Sequence, residues 1–117
     1  MFVNKLPDVE FLNEVLTVDE SSPTGLTWKV NRRGRAKAGT PAGARSTGPR
    51  SYGRAHTKLN GTFYLNSRLI YKMTTGKDPE GVVDHIDGDW TNDKFSNFQD
   101  ITQVQNLRKK AGEVVNA

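Results

Sequence analysis

The spacing of apolar positions changes several times along this chain, and each change marks an element. Between residues 8 and 18, Val9, Phe11, Leu12, Val15 and Leu16 recur at helical spacing and predict a short amphipathic helix. Glu20-Ser21-Ser22-Pro23-Thr24-Gly25 is a turn sequence. Leu26-Thr27-Trp28-Lys29-Val30 alternates as a half-buried strand does. Residues 31–51 hold almost no large apolar side chain and are rich in Gly, Ala, Ser, Pro and Arg. They predict a loop or weak strand pair, mobile until a partner orders it. Tyr52 to Leu59 and Thr62 to Leu65 flank Asn60-Gly61, a pair suited to the two positive φ angles of a type I′ hairpin turn. That turn sets Lys58 opposite Phe63, on the face shared with Arg54 and His56. Alternation alone leaves open which face is core.

Beyond the hairpin, Asn66 or Ser67 is expected to cap a helix running to about Thr75. Leu69, Ile70 and Met73 form its buried stripe, and Gly76 ends it. Lys77 to Gly81 reads as a linker. Gly81 to Ile86 predicts a short strand, Asp87 to Lys94 a polar loop, and Phe95 to Ile101 contains a second strand. Thr102-Gln103-Val104-Gln105 has the form of a capping box, so a helix should continue through Lys110 with Asn106 in its second turn. Gly112 to Ala117 is expected to fray. The elements describe one small α+β domain, in keeping with 117 residues.

Composition narrows the function. Only 34% of residues are apolar, so the core is small, and stability is expected to lean on bound ions or nucleic acid. No run is long and apolar enough to span a membrane, and the N-terminus lacks the apolar stretch of a signal peptide. The chain has no cysteine, which excludes disulfides and thiolate metal sites and fits a reducing compartment. The net charge of +4 conceals an asymmetry. Ser21 to Lys77 holds twelve of the seventeen Lys/Arg and no Asp/Glu, giving +12; the rest carries five Lys/Arg and all thirteen Asp/Glu, giving −8. A basic middle before an acidic-and-amide cluster suggests a polyanion held by one part and acted on by the other.

That cluster is Val83-Asp84-His85-Ile86-Asp87-Gly88-Asp89, then Asn92-Asp93, Ser96-Asn97-Phe98 and Gln105-Asn106. A carboxylate and an amide oxygen, as on Asp84 and Asn106, suit a hard cation such as Mg²⁺, with waters and phosphate completing its shell. An imidazole such as that of His85 can take a proton from an attacking water. Asp84 and His85 are neighbours, and strand neighbours face opposite ways. Joint service at one site therefore calls for a break or bulge in the strand. An ordinary polar turn is the plainer reading of Asp-x-x-Asp-Gly-Asp. An EF-hand fails, since with Gly88 at the sixth loop position Val83 and Lys94 fall where acidic ligands belong. Two histidines without cysteine argue against zinc.

With Asn97 and Asn106 at these distances, the cluster resembles the HNH endonucleases, closest to the phage and intron-associated branch whose final H is replaced by N. The resemblance implies a ββα-metal (His-Me finger) unit over residues 78–111, after a basic DNA-binding region over residues 1–77 and before a tail at 112–117. It assigns His85 as general base, Asn97 to tying the loop that presents His85, and Asp84 and Asn106 as ligands of one Mg²⁺ or Mn²⁺ ion. A weaker similarity covers Thr24-Gly25-Leu26-Thr27-Trp28-Lys29-Val30, Ala38-Gly39 and Tyr64 to Tyr71. Two departures stand out: Ser67 where such proteins often carry His before Arg68, and Asn97-Phe98 where Asn-Leu is usual.

The activity this implies is hydrolysis of double-stranded DNA to 5′-phosphate and 3′-hydroxyl ends, in the cytoplasm of a bacterial or phage-infected cell. A monomer would nick, and a homodimer would cut both strands. Arg32, Arg33, Arg35, Lys37, Arg45, Arg50, Arg54 and Lys58 are the expected backbone contacts. The rivals are an HNH-like DNA-binding protein without cleavage and an RNA-binding module, the latter weakened by the lack of a dense aromatic platform.

Overall fold

The computed structural model describes residues 5–34, 36–47 and 53–101. Within them lie two α-helices and seven short strands: α1 (Val9–Val15), β1 (Leu16–Val18), β2 (Leu26–Trp28), β3 (Ala44–Arg45), β4 (Ala55–Leu59), β5 (Thr62–Leu65), α2 (Asn66–Thr75), β6 (Val82–His85) and β7 (Phe98–Ile101), with a 3₁₀ turn at Phe95–Asn97. The strands form three antiparallel sheets, β1-β2, β3-β4-β5 and β6-β7. This is a small α+β protein. The helix expected from Thr102 to Lys110, with Asn106, lies outside the described residues, as do Tyr52, Arg35, Arg50 and the tail.

The helix predicted over residues 8–18 stops at Val15. Leu16, Thr17 and Val18 leave it to pair with Trp28, Thr27 and Leu26. Two of these three are β-branched, and a waiting partner strand outweighs one more turn of a short helix. Leu16 remains fully buried, so its apolar character was read correctly and its element was not.

The β4-β5 turn is the one Asn-Gly predicts, with φ of 50° at Asn60 and 85° at Gly61. Lys58 pairs with Phe63, and both are exposed, while Ala55, Thr57 and Leu59 are buried. The inner face of β4 packs on α2, whose Leu69 and Ile70 are fully buried. Of the loop or weak strand pair that composition suggests, residues 36–45 take the second form, tied to β2 and β4. Trp28 N–H donates to Thr40, Gly39 N–H to Trp28 and Ala42 N–H to Leu26, while β3 pairs with β4. At Gly43, with φ at 86°, a Cβ would collide with the His56 carbonyl, so only glycine lets the segment pass this close to β4.

Asn66 does not cap α2. Its side chain is fully buried, accepts from Thr57 Oγ1, and donates to the carbonyls of Thr24 (3.0 Å) and Ala42 (3.1 Å). One amide thus joins the Thr24 turn, the 36–45 segment, β4 and α2. Asn66→Ala is expected to lower stability by about 3 kcal/mol, because buried polar groups lose their partners. Urea unfolding measures this, and a loss under about 1 kcal/mol would contradict it.

Lys72 is buried on α2 and donates to Asp78 Oδ1 (2.7 Å) and the Leu6 carbonyl. Burial pushes the Asp78 carboxyl up, but the bonds from Lys72 and the Leu6 amide, with the charges of Lys72 and Arg68, hold it below its ordinary value. A carboxyl lowered in the folded state stabilises above the ordinary carboxylate range and loses that contribution as pH falls through its folded value. The melting-temperature gap between the wild type and Asp78→Asn should therefore close on acidification. A gap unchanged by acid would refute this.

One apolar cluster runs from Leu6 and Leu12 through Trp28, Leu59 and Ile70 to Val83 and Phe98. It seats the β6-β7 pair against α2.

Candidate active site

β6 carries both central residues of the sequence cluster. Its register, Asp84 with Gln99 and His85 with Phe98, is regular to its last residue. The two side chains therefore leave opposite faces. His85 shares the inner face with Val83 and is 5% exposed, while Asp84 is half-buried and accepts from Gln99 Nε2 at 2.9 Å. The expected break between Asp84 and His85 is absent. The chain turns only after His85, where Gly88 N–H donates back to the His85 carbonyl at 2.8 Å.

The loop after His85 is tied by Asn97. Its Oδ1 accepts from Asp87 N–H (3.1 Å), its Nδ2 donates to Asp87 Oδ1 (3.0 Å) and the Asn92 carbonyl (3.0 Å), and its own carbonyl accepts from Ile86 N–H (2.8 Å). The Asn92 amide, the Asp89 N–H and Asn97 together hold the Asp87 carboxyl below its ordinary value. Asp87 and Asp89, which accepts from Thr91 N–H and Oγ1, thus act within the loop as turn-formers.

Two features at His85 escaped sequence reasoning. First, Asp93 Oδ1 lies 2.8 Å from His85 Nε2, and both side chains are buried. Asp93 had appeared only as a motif neighbour, because the loop between them gives no periodic signal. Second, rings lead from α2 to the site: Tyr71 to Phe95 at 6.1 Å, Phe95 to Phe98 at 6.4 Å, and Phe98 edge-on to His85 at 5.2 Å. The departure at Phe98 therefore falls on the residue that packs against the imidazole.

The arginines divide by role. Arg45 is not a free phosphate contact. Its Nη1 donates to the Gly53 carbonyl (2.7 Å), Asp93 Oδ2 (3.2 Å) and the Trp90 carbonyl (3.5 Å), and its Nη2 to the carbonyls of Pro23 (2.6 Å) and Thr91 (2.9 Å). It clamps the 89–93 loop to the rest of the domain. Arg54 lies over the Trp90 ring at 4.1 Å. Burial pushes its pKa down, and the negative charges of Asp84 and Asp93 oppose that shift. Arg32 covers Trp28, while Arg33, Lys37 and Lys58 are exposed. Ser67 is 6% exposed, so its departure cannot act by touching DNA in this conformation.

The family model for the HNH endonuclease matches residues 64–108, from β5 through the candidate site. No curated protein and no solved structure matches the chain. HNH proteins are usually nucleases, so the function indicated at this level is nuclease-type. No group of three or more His, Cys, Asp or Glu able to hold a metal occurs among the described residues. The HNH ligand pair read from sequence is one carboxylate, Asp84, and one amide, Asn106, of which only Asp84 is described. Its hard oxygens, partly exposed beside the turn, fit a cation that keeps waters and takes phosphate oxygens. No helix among the described residues is long and apolar enough to cross a membrane.

Proposed function

We propose that this protein is a metal-dependent DNA endonuclease. The observation that carries the proposal is His85 at the end of β6, its ring held by Asp93 and the following loop pinned by Asn97, within the family-matched segment. Asp93 engages Nε2, and the imidazole takes the proton from the attacking water. The water oxygen bonds to phosphorus, the bond to the 3′ oxygen breaks, and the 3′ oxygen takes a proton from solvent. Asp93 stabilises the imidazolium that forms. Asp84 and Asn106 would hold the divalent cation, which supplies stabilisation of charge on the phosphate and leaving oxygen. Arg33, Lys37 and Lys58 meet phosphates, and Arg54 supports the scissile region from Trp90. One site cuts one strand, so a monomer nicks and a homodimer makes a double-strand break. A phage or mobile-element origin is part of the same proposal.

A plasmid-nicking assay tests it. Supercoiled DNA should relax with Mg²⁺ or Mn²⁺ and remain intact in excess EDTA. Undiminished nicking in EDTA would sink the metal role. The second reading, a DNA-binding protein without cleavage, is favoured by one observation: Asp84 and the buried His85 leave opposite faces of a regular strand. Under that reading, binding persists and no cation produces nicks.

A further inference from the structure

The outer face of the β4-β5 hairpin and the segment containing residues 31–44 enclose an open groove of about 960 Å³. Arg32, Arg33, His56, Lys58, Trp28 and Phe63 give it its chemistry, and among the described residues no Asp or Glu lines it. A groove of one sign selects a polyanion. Phe63 adds a second requirement. It is 61% exposed, held on a paired strand by its register with Lys58, whose Nζ sits 5.4 Å from its ring. Phosphates alone give a phenyl face nothing to contact. Its match is a flat apolar surface carried by the same polyanion, namely a nucleobase.

In a paired duplex the base faces are covered by their neighbours, and a protein meets mainly base edges and sugars. An unpaired strand offers the faces themselves. Cationic grooves with aromatic side chains are the general solution for holding single strands. The volume also decides. It lies at the upper end of small-ligand pockets, which run to about 1,000 Å³, so it admits a short run of nucleotides.

We infer that this groove takes an unpaired segment of DNA, with phosphates on Arg32, Arg33 and Lys58 and a base stacked on Phe63. The inference rests on the nuclease reading and specifies its substrate. Lys58 and His56 follow one another along the outer face of β4, about 6.6 Å apart, and Arg54 immediately precedes the strand. The row ends where Arg54 covers Trp90 beside Asp84 and Asp93. A strand in the groove is therefore led towards His85, and the preferred substrate has an unpaired segment next to the scissile phosphate.

The test is binding by fluorescence anisotropy in EDTA at fixed salt, using the full chain. The probes are a labelled, fully paired duplex and the same duplex with a short single-stranded overhang. The wild type should bind the overhang substrate about tenfold more tightly, as expected for one base–aromatic stack. Phe63→Ala should abolish that preference, Phe63→Trp should keep it, and Lys58→Ala should weaken binding to both probes. Phe63 is exposed, so these variants do not disturb the core. Equal wild-type affinity for the two probes overturns the inference. So does a Phe63→Ala variant that weakens both alike, which would mean contact with paired DNA. A protein that nicks plasmid yet shows no preference overturns this inference alone. One that neither binds nor nicks overturns the nuclease reading as well.

Discussion

Replacing His85 with alanine is expected to reduce the nicking rate by about 10²–10⁴-fold, the range for loss of a positioned general base. DNA affinity should stay near wild type, because the exposed cations lie on other elements. The side chain is buried against Phe98 and Asp93, so melting temperature must be measured alongside. Asp93→Asn serves as a gentler companion: it preserves shape, removes the charge opposite the ring, and should slow cleavage by about 10–100-fold, as loss of a supporting partner does. If His85→Ala cuts at the wild-type rate, His85 is not the base. If Asp93→Asn alone is silent, the Nε2 contact does not orient the ring.

Arg45 carries the second large expectation. Its two terminal nitrogens reach five acceptors on the Pro23 turn, Gly53 and the 90–93 loop. Lysine retains the charge but has one nitrogen and no planar fork, so it cannot serve acceptors on both sides. Arg45→Lys and Arg45→Ala should both destabilise the domain, by about 2–3 kcal/mol, and both should impair cleavage by releasing Asp93. Urea unfolding and single-turnover nicking measure these effects. If Arg45 were instead a phosphate contact, Arg45→Lys would be nearly neutral in both, and Arg45→Ala would chiefly lower the salt slope of binding by about one.

Arg45 also shows where reading the sequence stops short. A lone arginine in a Gly- and Arg-rich stretch is indistinguishable from Arg33 until its acceptors are known, and one of them, Asp93, lies 48 residues away. Asn66 has the same history. At a helix start, asparagine most often caps, and nothing local says that Thr24 and Ala42 turn their carbonyls towards it. The failure at Leu16 is different. The apolar pattern was right, but helix and strand both bury that position, and pairing with β2 decided between them. The two faces of the hairpin were likewise equivalent in sequence, each offering apolar and polar side chains, until α2 covered one.

Three features needed only the local chain. The β4-β5 turn follows from the positive φ angles that Asn60-Gly61 tolerates. The end of α2 follows from Gly76, whose φ of 83° closes the helix. The spacing of Asp84, His85, Asn97 and Asn106 was enough to indicate the family. Tertiary structure alone decided which residues surround His85, which arginines remain exposed, and that Asp84 and His85 leave β6 on opposite faces. The reason is range. Turns, caps and motif spacing depend on a few bonded neighbours, whereas burial and partnership depend on contacts such as Arg45 with Asp93 that exist only after distant segments have packed.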